Sequence, residues 1–293
     1  MTRVKILSRN RLNYSNRRFR QEAKDVGVNL SVTDPAECEM FLSPNSPMLM
    51  KNGKGIEPAD VVMPRIGASI NDYALAVITQ FEMMGTPVIN TSNALFNSKN
   101  KLRSIQLMST TDIAIPKTIF VRRPSELSEG IKRVGGFPVM LKLLSGTQGI
   151  GVMLAHNMSS IQSTLDTLWS LGQDILIQEC IEESLGRDIR IFVVGDQIVG
   201  AMQRQARIGE FRSNIHRGGI GTMIDLTPEY RELALKAAKT IGLEIAGVDM
   251  LESNHGPKVI EVNSSPGFEG LEMASGINVA KKILEYCVEK YGK

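Results

Sequence analysis

Apolar positions in the first third of the chain fall into two rhythms, a period of about two and a period of about 3.6 residues. Short apolar runs at Val4 to Leu7, Leu30 to Asp34, Asp60 to Pro64 and Val88 to Asn90 predict strands. Between them, Asn16 to Val26 and Ala74 to Met84 repeat at helical spacing, and each stops at a glycine, Gly27 or Gly85. Strands alternating with helices in this way predict an open parallel sheet. Asn97 to Thr111 then reads as one connecting helix with Asn97 or Ser98 as its cap. A smaller unit follows: a strand at Thr118 to Val121, a helix after Pro124, strands at Val139 to Leu143 and Val152 to Ala155, and a helix from Ser159 to Leu171. The last stretch carries long strands, including Ile175 to Gln178 and Ile189 to Val194, and two helices, Pro228 to Ile241 and Ile277 to Lys290. The expected class is α/β, with a parallel-sheet domain over residues 1–96, a central subdomain over 97–178 and a C-terminal subdomain over 179–293.

Length and composition agree with this division. A chain of 293 residues suggests about two domains, and 42% apolar content can fill a core without disulfide or metal staples. The net charge of +3 is a weak pointer to nucleic acid, and no such partner is expected. Three cysteines far apart, with no CxxC pair, argue against a disulfide framework or structural zinc and for a reducing cytosol. The N-terminus lacks a signal-peptide core, and no apolar run reaches the roughly 18 residues a membrane span needs, so a cytoplasmic protein is expected. Neither GxGxxG nor GxxxxGK[ST] occurs, which excludes a dinucleotide fold or a P-loop as the source of function.

Candidate chemistry begins between two predicted strands, where Lys142 is followed by Ser145-Gly146-Thr147-Gln148-Gly149-Ile150-Gly151. Glycines let backbone N–H groups crowd around an anion, so the loop reads as a phosphate cradle as well as a flexible hairpin connection. Lys142 before it, and Lys101 on the preceding helix, favour the cradle.

The strongest signal is a hairpin. Ala246 to Glu252 and Lys258 to Asn263 flank a turn-rich stretch, Ser253 to Pro257. Centred on His255, this hairpin sets Asp249 opposite Glu261, Cβ atoms roughly 5 Å apart, with Asn263 on the face of Glu261. Two carboxylates facing each other on apolar strands repel, and divalent cations with hard oxygen ligands remove the conflict. The bland alternative is one acid turned to solvent or paired with a lysine such as Lys258.

A second hairpin, with a two-residue turn at Gly195-Asp196, sets Arg187 opposite Arg204 and Asp188 beside Gln203. It reads either as a grip for an anionic substrate or as splayed, solvated arginines. Downstream, Arg207, Arg212, His216 and Arg217 sit in a glycine-rich stretch that reads as an ordered active-site loop. Nothing there supplies a nucleophile, and Cys180, at a strand end, reads as a small core residue.

Taken in order, lysine, glycine loop, arginine-rich loop and Asp…Glu-x-Asn resemble the ATP-grasp superfamily. Pro64-Arg65-Ile66-Gly67, Gln80-Phe81-Glu82-Met83, Asp188-Ile189-Arg190, Phe211-Arg212-Ser213-Asn214, His216-Arg217-Gly218-Gly219 and Glu261-Val262-Asn263-Ser264-Ser265-Pro266-Gly267 narrow the resemblance to the RimK-type ligases, over nearly the whole chain. Those enzymes add glutamate to the carboxyl terminus of the sixth small-subunit ribosomal protein. The resemblance implies an ATP-grasp fold behind a pre-ATP-grasp domain, with ATP, L-glutamate and a ribosomal-protein C-terminus as partners, and a homo-oligomer, a tetramer among the options. It implies that Lys101 and Lys142 contact ATP phosphates, Lys142 also reaching the adenine edge. Gly146, Thr147, Gln148 and Gly149 would form the lid, and Gln178, Glu179, Cys180 and Ile181 would line the adenine, with backbone groups of Glu179 and Ile181 in contact. Asp188 would hold the ribose, and Arg212, Ser213 and Asn214 would lie along the phosphates. Asp249, Glu261 and Asn263 would bind two magnesium (or manganese) ions, and Arg190 and Arg204 would grip substrate carboxylates or the acyl-phosphate. Where distant ATP-grasp ligases carry an arginine two residues before the metal aspartate, this chain has Gly247. Ligation onto a small-molecule cofactor or an amino-group carrier protein is the alternative within the class. An inactive ATP-binding regulator is the alternative outside it, at odds with the intact Asp249, Glu261 and Asn263.

Overall fold

The computed structural model describes residues 1–67, 72–144, 151–207, 209–213 and 218–292. The N-terminal part comprises β1 (Thr2–Leu7), α1 (Tyr14–Ala23), β2 (Val28–Thr33), β3 (Glu39–Phe41), β4 (Met48–Lys51), β5 (Lys54–Gly55), β6 (Val61–Pro64) and α2 (Asp72–Met83). Strands β2, β1 and β6 pair in parallel, as the strand–helix alternation predicts. Both faces of the sheet are covered: Val4 and Ile6 face Phe19 of α1, while Leu7 and Val62 join Val77 and Ile78 of α2 in a separate cluster. Parallel strands buried on both sides read as continuous apolar runs, which is why they stand out in the sequence.

Helices α3 (Ser92–Lys99) and α4 (Lys101–Ser109) lead to β7 (Thr118–Phe120), α5 (Leu127–Arg133), β8 (Val139–Leu143), β9 (Val152–Ala155), α6 (Met158–Ser170) and β10 (Ile175–Glu179). The sheet order is β7-β10-β8-β9, with α5 and α6 packed on one face. The rest is β11 (Arg187–Val194), β12 (Gln197–Gln205), β13 (Ile220–Met223), α7 (Pro228–Ile241), β14 (Ile245–Ser253), β15 (Gly256–Asn263), α8 (Glu269–Ser275) and α9 (Val279–Tyr291). These strands form an antiparallel sheet in the order β13-β12-β11-β14-β15. Helix α9 contributes Ile283 and Leu284 to the cluster around Val4 and Phe192, so the C-terminal helix helps to close the N-terminal sheet. Phe268 meets Tyr14, Phe19 and Phe192 edge-on at 5.9, 5.5 and 6.2 Å, within the range of favourable aromatic pairs. No helix among the described residues is long and apolar enough to cross a membrane.

Several expectations need correction. The single helix over Asn97 to Thr111 is two helices: Asn100 is extended, and its side-chain oxygen accepts the Arg103 N–H at 3.0 Å to cap α4. Val88 to Asn90 makes one parallel bridge to Val62 instead of a strand. There the Asn90 side chain bonds the backbone of Glu244, Ile245 and Ser264, joining this segment to the antiparallel sheet. The small sheet β3-β4-β5, strand β13 and helix α8 carry no strong periodic signal and were not expected. Arg187 pairs with Gln205 and not with Arg204, because an extra residue, Val199, bulges β12 and shifts every pairing beyond it by one.

Candidate active site

Period two along the antiparallel sheet separates core from chemistry. Ile189, Ile191, Val193, Ala246, Val248 and Met250 pack under α7. The alternate positions Asp188, Arg190, Gly247 and Asp249 then fall on the opposite face. Strand β15 carries its own bulge. The turn is Asn254-His255, so a regular ladder would set Asp249 against Ile260; the extra residue on β15 sets it against Glu261. The predicted pairing of the two acids holds, by a different route.

This face borders an open cleft of about 1210 Å³, mouth included. On one wall, Met140 and Lys142 of β8 stand opposite Gln178 and Leu176 of β10, while Val139, Leu141, Ile175 and Ile177 turn into the core behind. Lys101 and Ser104 of α4 line another wall, and Glu179, Cys180 and Ile181 the strand end between them. Cys180 is half-buried against the cleft and not a core residue, with burial pushing its thiol up to about 11. The Glu179 N–H is committed to the Lys117 carbonyl at 2.8 Å, and its carboxylate to Lys258 at 2.9 and 3.0 Å. Lys258 is therefore the partner of Glu179, not of the metal-type acids. Arg212 and Ser213 reach the cleft, Arg212 bound to Glu210 at 2.8 Å and stacked on Phe211 at 5.2 Å. Gly146, Thr147, Gln148, Gly149 and Asn214 lie outside the described residues.

Charges at the far end of the cleft divide into two groups. Asp188 accepts from Arg204, with Arg204 Nε at 2.7 Å. Asp249 accepts from Arg190 at 2.7 and 2.6 Å, and Arg204 Nη2 lies 2.9 Å from its second oxygen. Burial opposes the charge of Asp249, but Arg190 and Arg204 overcome it and hold the carboxyl below its usual range. Burial also opposes the charge of Arg204, and Asp249 and Asp188 together raise its pKa. The arginines expected to hold substrate carboxylates are thus engaged by acids of the chain. Gly247 is required by Pro266: a Cβ there would lie 2.7 Å from Pro266 Cβ, and at an ordinary contact distance of 3.7 Å from Arg190 Nε.

The second group centres on Glu261. Glu261, half-buried, makes no hydrogen bond or ion pair among the described residues. Lys142 faces it, its pKa lowered by burial to about 8 and pulled back only partly by Glu261, with Lys101 opposing. Asn263 lies 3.4 Å from both Asp249 and the Gly247 carbonyl. Two carboxylates and an amide suit magnesium, which uses one or two carboxylates and completes its shell with water and substrate phosphates. Among the described residues no three His, Cys, Asp or Glu side chains are placed to hold a metal ion together, so a cation here would depend on a nucleotide for further ligands.

Comparison with known proteins settles the family. Residues 2–95 match the RimK PreATP-grasp domain and residues 98–287 the RimK-like ATP-grasp domain. The chain belongs to the RimK-like ATP-grasp family. It is an ATP-dependent ligase. A probable alpha-L-glutamate ligase of Shewanella frigidimarina is 48% identical over 287 residues, covering 98% of this chain and 95% of that protein. One from Nitrosococcus oceani is 48% identical over 288 residues, with 98% and 95% covered. Among solved structures, the ATP-grasp ligase PsnB with a phosphomimetic variant of its minimal precursor, Mg and ADP superposes with a TM-score of 0.74 at 19% identity, over 99% of this chain and 98% of that one. The macrocyclase MdnC from Microcystis aeruginosa, bound with precursor peptide MdnA, gives 0.71 at 18% identity, covering 99% and 100%.

Sequence reasoning missed the apolar lining, Ile105, Met140, Val152, Leu176, Leu251 and Ile260. Alternation along β8 and β10 signals it once the core face is known. It gave Arg65 no role beyond its motif and passed over Lys99. Arg65 is buried between Phe19 and Phe268, centroids 5.9 and 5.8 Å away, donates to the Pro266 carbonyl at 2.6 Å, and has its pKa lowered by burial to about 10.

Proposed function

We propose that the ligase joins the amine of L-glutamate to the C-terminal carboxylate of a small-subunit ribosomal protein, using ATP and two magnesium (or manganese) ions. The observation that carries this reading is the pairing of Asp249 with an unpartnered Glu261 at the end of a cleft walled by Lys101 and Lys142. The relatives described as probable alpha-L-glutamate ligases, at 48% identity along nearly the full length, support glutamate as the amino acid. In this reading Met140, Leu176 and Gln178 to Ile181 hold the adenine, and Lys101, Lys142, Arg212 and Ser213 hold the phosphates. Asp188 meets the ribose with lone pairs left over from Arg204. Arg190 and Arg204 keep Asp249 ionised and in place.

An oxygen of the acceptor carboxylate attacks the γ-phosphorus of ATP, ADP leaves, and an acyl-phosphate results. The glutamate amine attacks the acyl carbon, phosphate departs, and the amine proton passes to phosphate or solvent. Bound magnesium ions, held by Asp249, Glu261 and Asn263, would offset the charge that accumulates as two anions approach. The lysines add fixed positive charge on the nucleotide side. The test is phosphate release from ATP with magnesium and glutamate, with and without a peptide copying the ribosomal protein's C-terminus, followed by mass spectrometry. Acceptor-dependent release and a peptide heavier by whole glutamate residues are expected. An unchanged peptide mass, or equal use of other amino acids, would overturn the reading.

A further inference from the structure

Lys99 closes α3 one residue before the break at Asn100, and Lys101 opens α4 on the other side. Ser98 and Lys101 line the nucleotide cleft. Lys99 turns instead toward the N-terminal sheet, donating to the Ile66 carbonyl at 3.2 Å and to the Gly67 carbonyl. Those carbonyls follow the carboxyl end of β6, the end of a parallel strand at which α/β proteins bind ligands. Helix α3 packs on β15, and the charge of Glu261 acts on the ammonium. An ammonium has three donors. Two are used here, and Lys99 makes no ion pair among the described residues.

A lysine in the last turn of a helix can serve only to complement the helix dipole or to staple a loop. Elimination argues for more. The proposed reaction brings a substrate carboxylate to the γ-phosphate, next to Glu261, and the described arginines on that face are held by Asp188 and Asp249. Lys101 and Lys142 belong to the nucleotide side. We propose that Lys99 binds a substrate carboxylate, so that the substrate enters between the Ile66-Gly67 segment and Glu261, opposite the nucleotide. This rests on the ligase reading above. The carboxylate belongs to the acceptor or to free glutamate, and binding measurements distinguish the two.

Equilibrium binding of L-glutamate, and separately of the ribosomal C-terminal peptide, is measured on protein loaded with magnesium and a non-hydrolysable ATP analogue. Lys99→Met should weaken one of these two ligands by about tenfold or more, Lys99→Arg should retain most of the affinity, and nucleotide affinity should stay at the wild-type value. Lys101→Met is the contrast, losing nucleotide first. Lys99→Gln separates charge from stapling, since it keeps amide donors without the charge: wild-type affinity in that variant overturns the assignment. So does an equal loss of nucleotide and substrate in Lys99→Met. Should Lys99→Met fail to fold, the Arg and Gln pair still decides. A wild-type protein that binds neither substrate sinks the proposed pairing of glutamate with a ribosomal-protein acceptor, and this inference with it.

Discussion

Asp249 and Glu261 face each other across one ladder, yet their surroundings differ. Asp249 is buried and held by two arginines, one of which also holds Asp188, so that every charge in that group meets an opposite one within the chain. Glu261 has no such partner among the described residues, and the two lysines on which its charge acts, Lys142 and Lys99, carry pKa values lowered by burial. The first group is electrostatically complete without a ligand. The second is balanced only when something else arrives. Paired charges fix the geometry of the strand and leave Asp249 only its spare lone pairs for a cation, while the unmatched Glu261 marks where substrate and cations supply the remaining charge.

Glu261→Gln is the sharpest way to break this contrast. It removes no hydrogen bond among the described residues, so melting should stay near wild type, while ligation should fall by on the order of 10³ as charge compensation in the transition state is lost. Full activity would show that Glu261 holds no cation. Arg204→Met should behave in the opposite way. It leaves Asp188 and Asp249 buried without one of their cations, at a cost of about 3–5 kcal/mol in urea denaturation. A variant as stable as wild type would mean that the cluster is not what secures the strands.

Much of this contrast was legible in the sequence, and its limits have a physical cause. Acids and glycines on apolar strands stood out because period two separates faces, and Asp249, Glu261 and Asn263 lie where the hairpin places them. Bulges were not legible. Val199 and Ile260 resemble any other apolar strand residue, yet each shifts its ladder by one, bringing Arg204 opposite Asp188 and Glu261 opposite Asp249. The grip read from Arg187 and Arg204 followed from assuming like charges across a regular ladder; the bulge pairs Arg204 with Asp188 instead. Lys99 was passed over because a single helix through Asn100 gave it no special place.

Lys142→Met sharpens the comparison from the unmatched side. Losing a phosphate contact should weaken ATP binding by about tenfold or more, read by titration with a fluorescent analogue. The ligand-free protein should melt at the same temperature or higher, because a half-buried cation with no ion pair among the described residues is gone. A clear drop in melting temperature would place Lys142 among the structural charges.

The smallest expected effect is a pH dependence whose two halves have opposite signs. Burial, partly offset by Glu261, lowers Lys142 from 10.5 to about 8. Between those values the unfolded chain holds a proton that the folded one has released, so ligand-free stability gains from this lysine as pH rises through that window and is flat below it. ATP reverses the preference, since its phosphates favour the charged ammonium and binding must then take up a proton. Nucleotide affinity should therefore be steady below about pH 8 and fall above it, by at most about tenfold per pH unit for each linked proton. Calorimetry in buffers of different ionisation enthalpy counts the protons taken up. Lys142→Met should flatten the fall in affinity and remove its share of the rise in stability. A wild-type affinity that does not change between about pH 7.5 and 9.5 would mean that Lys142 stays charged without the nucleotide, and that this side of the cleft is better neutralised than its contacts indicate.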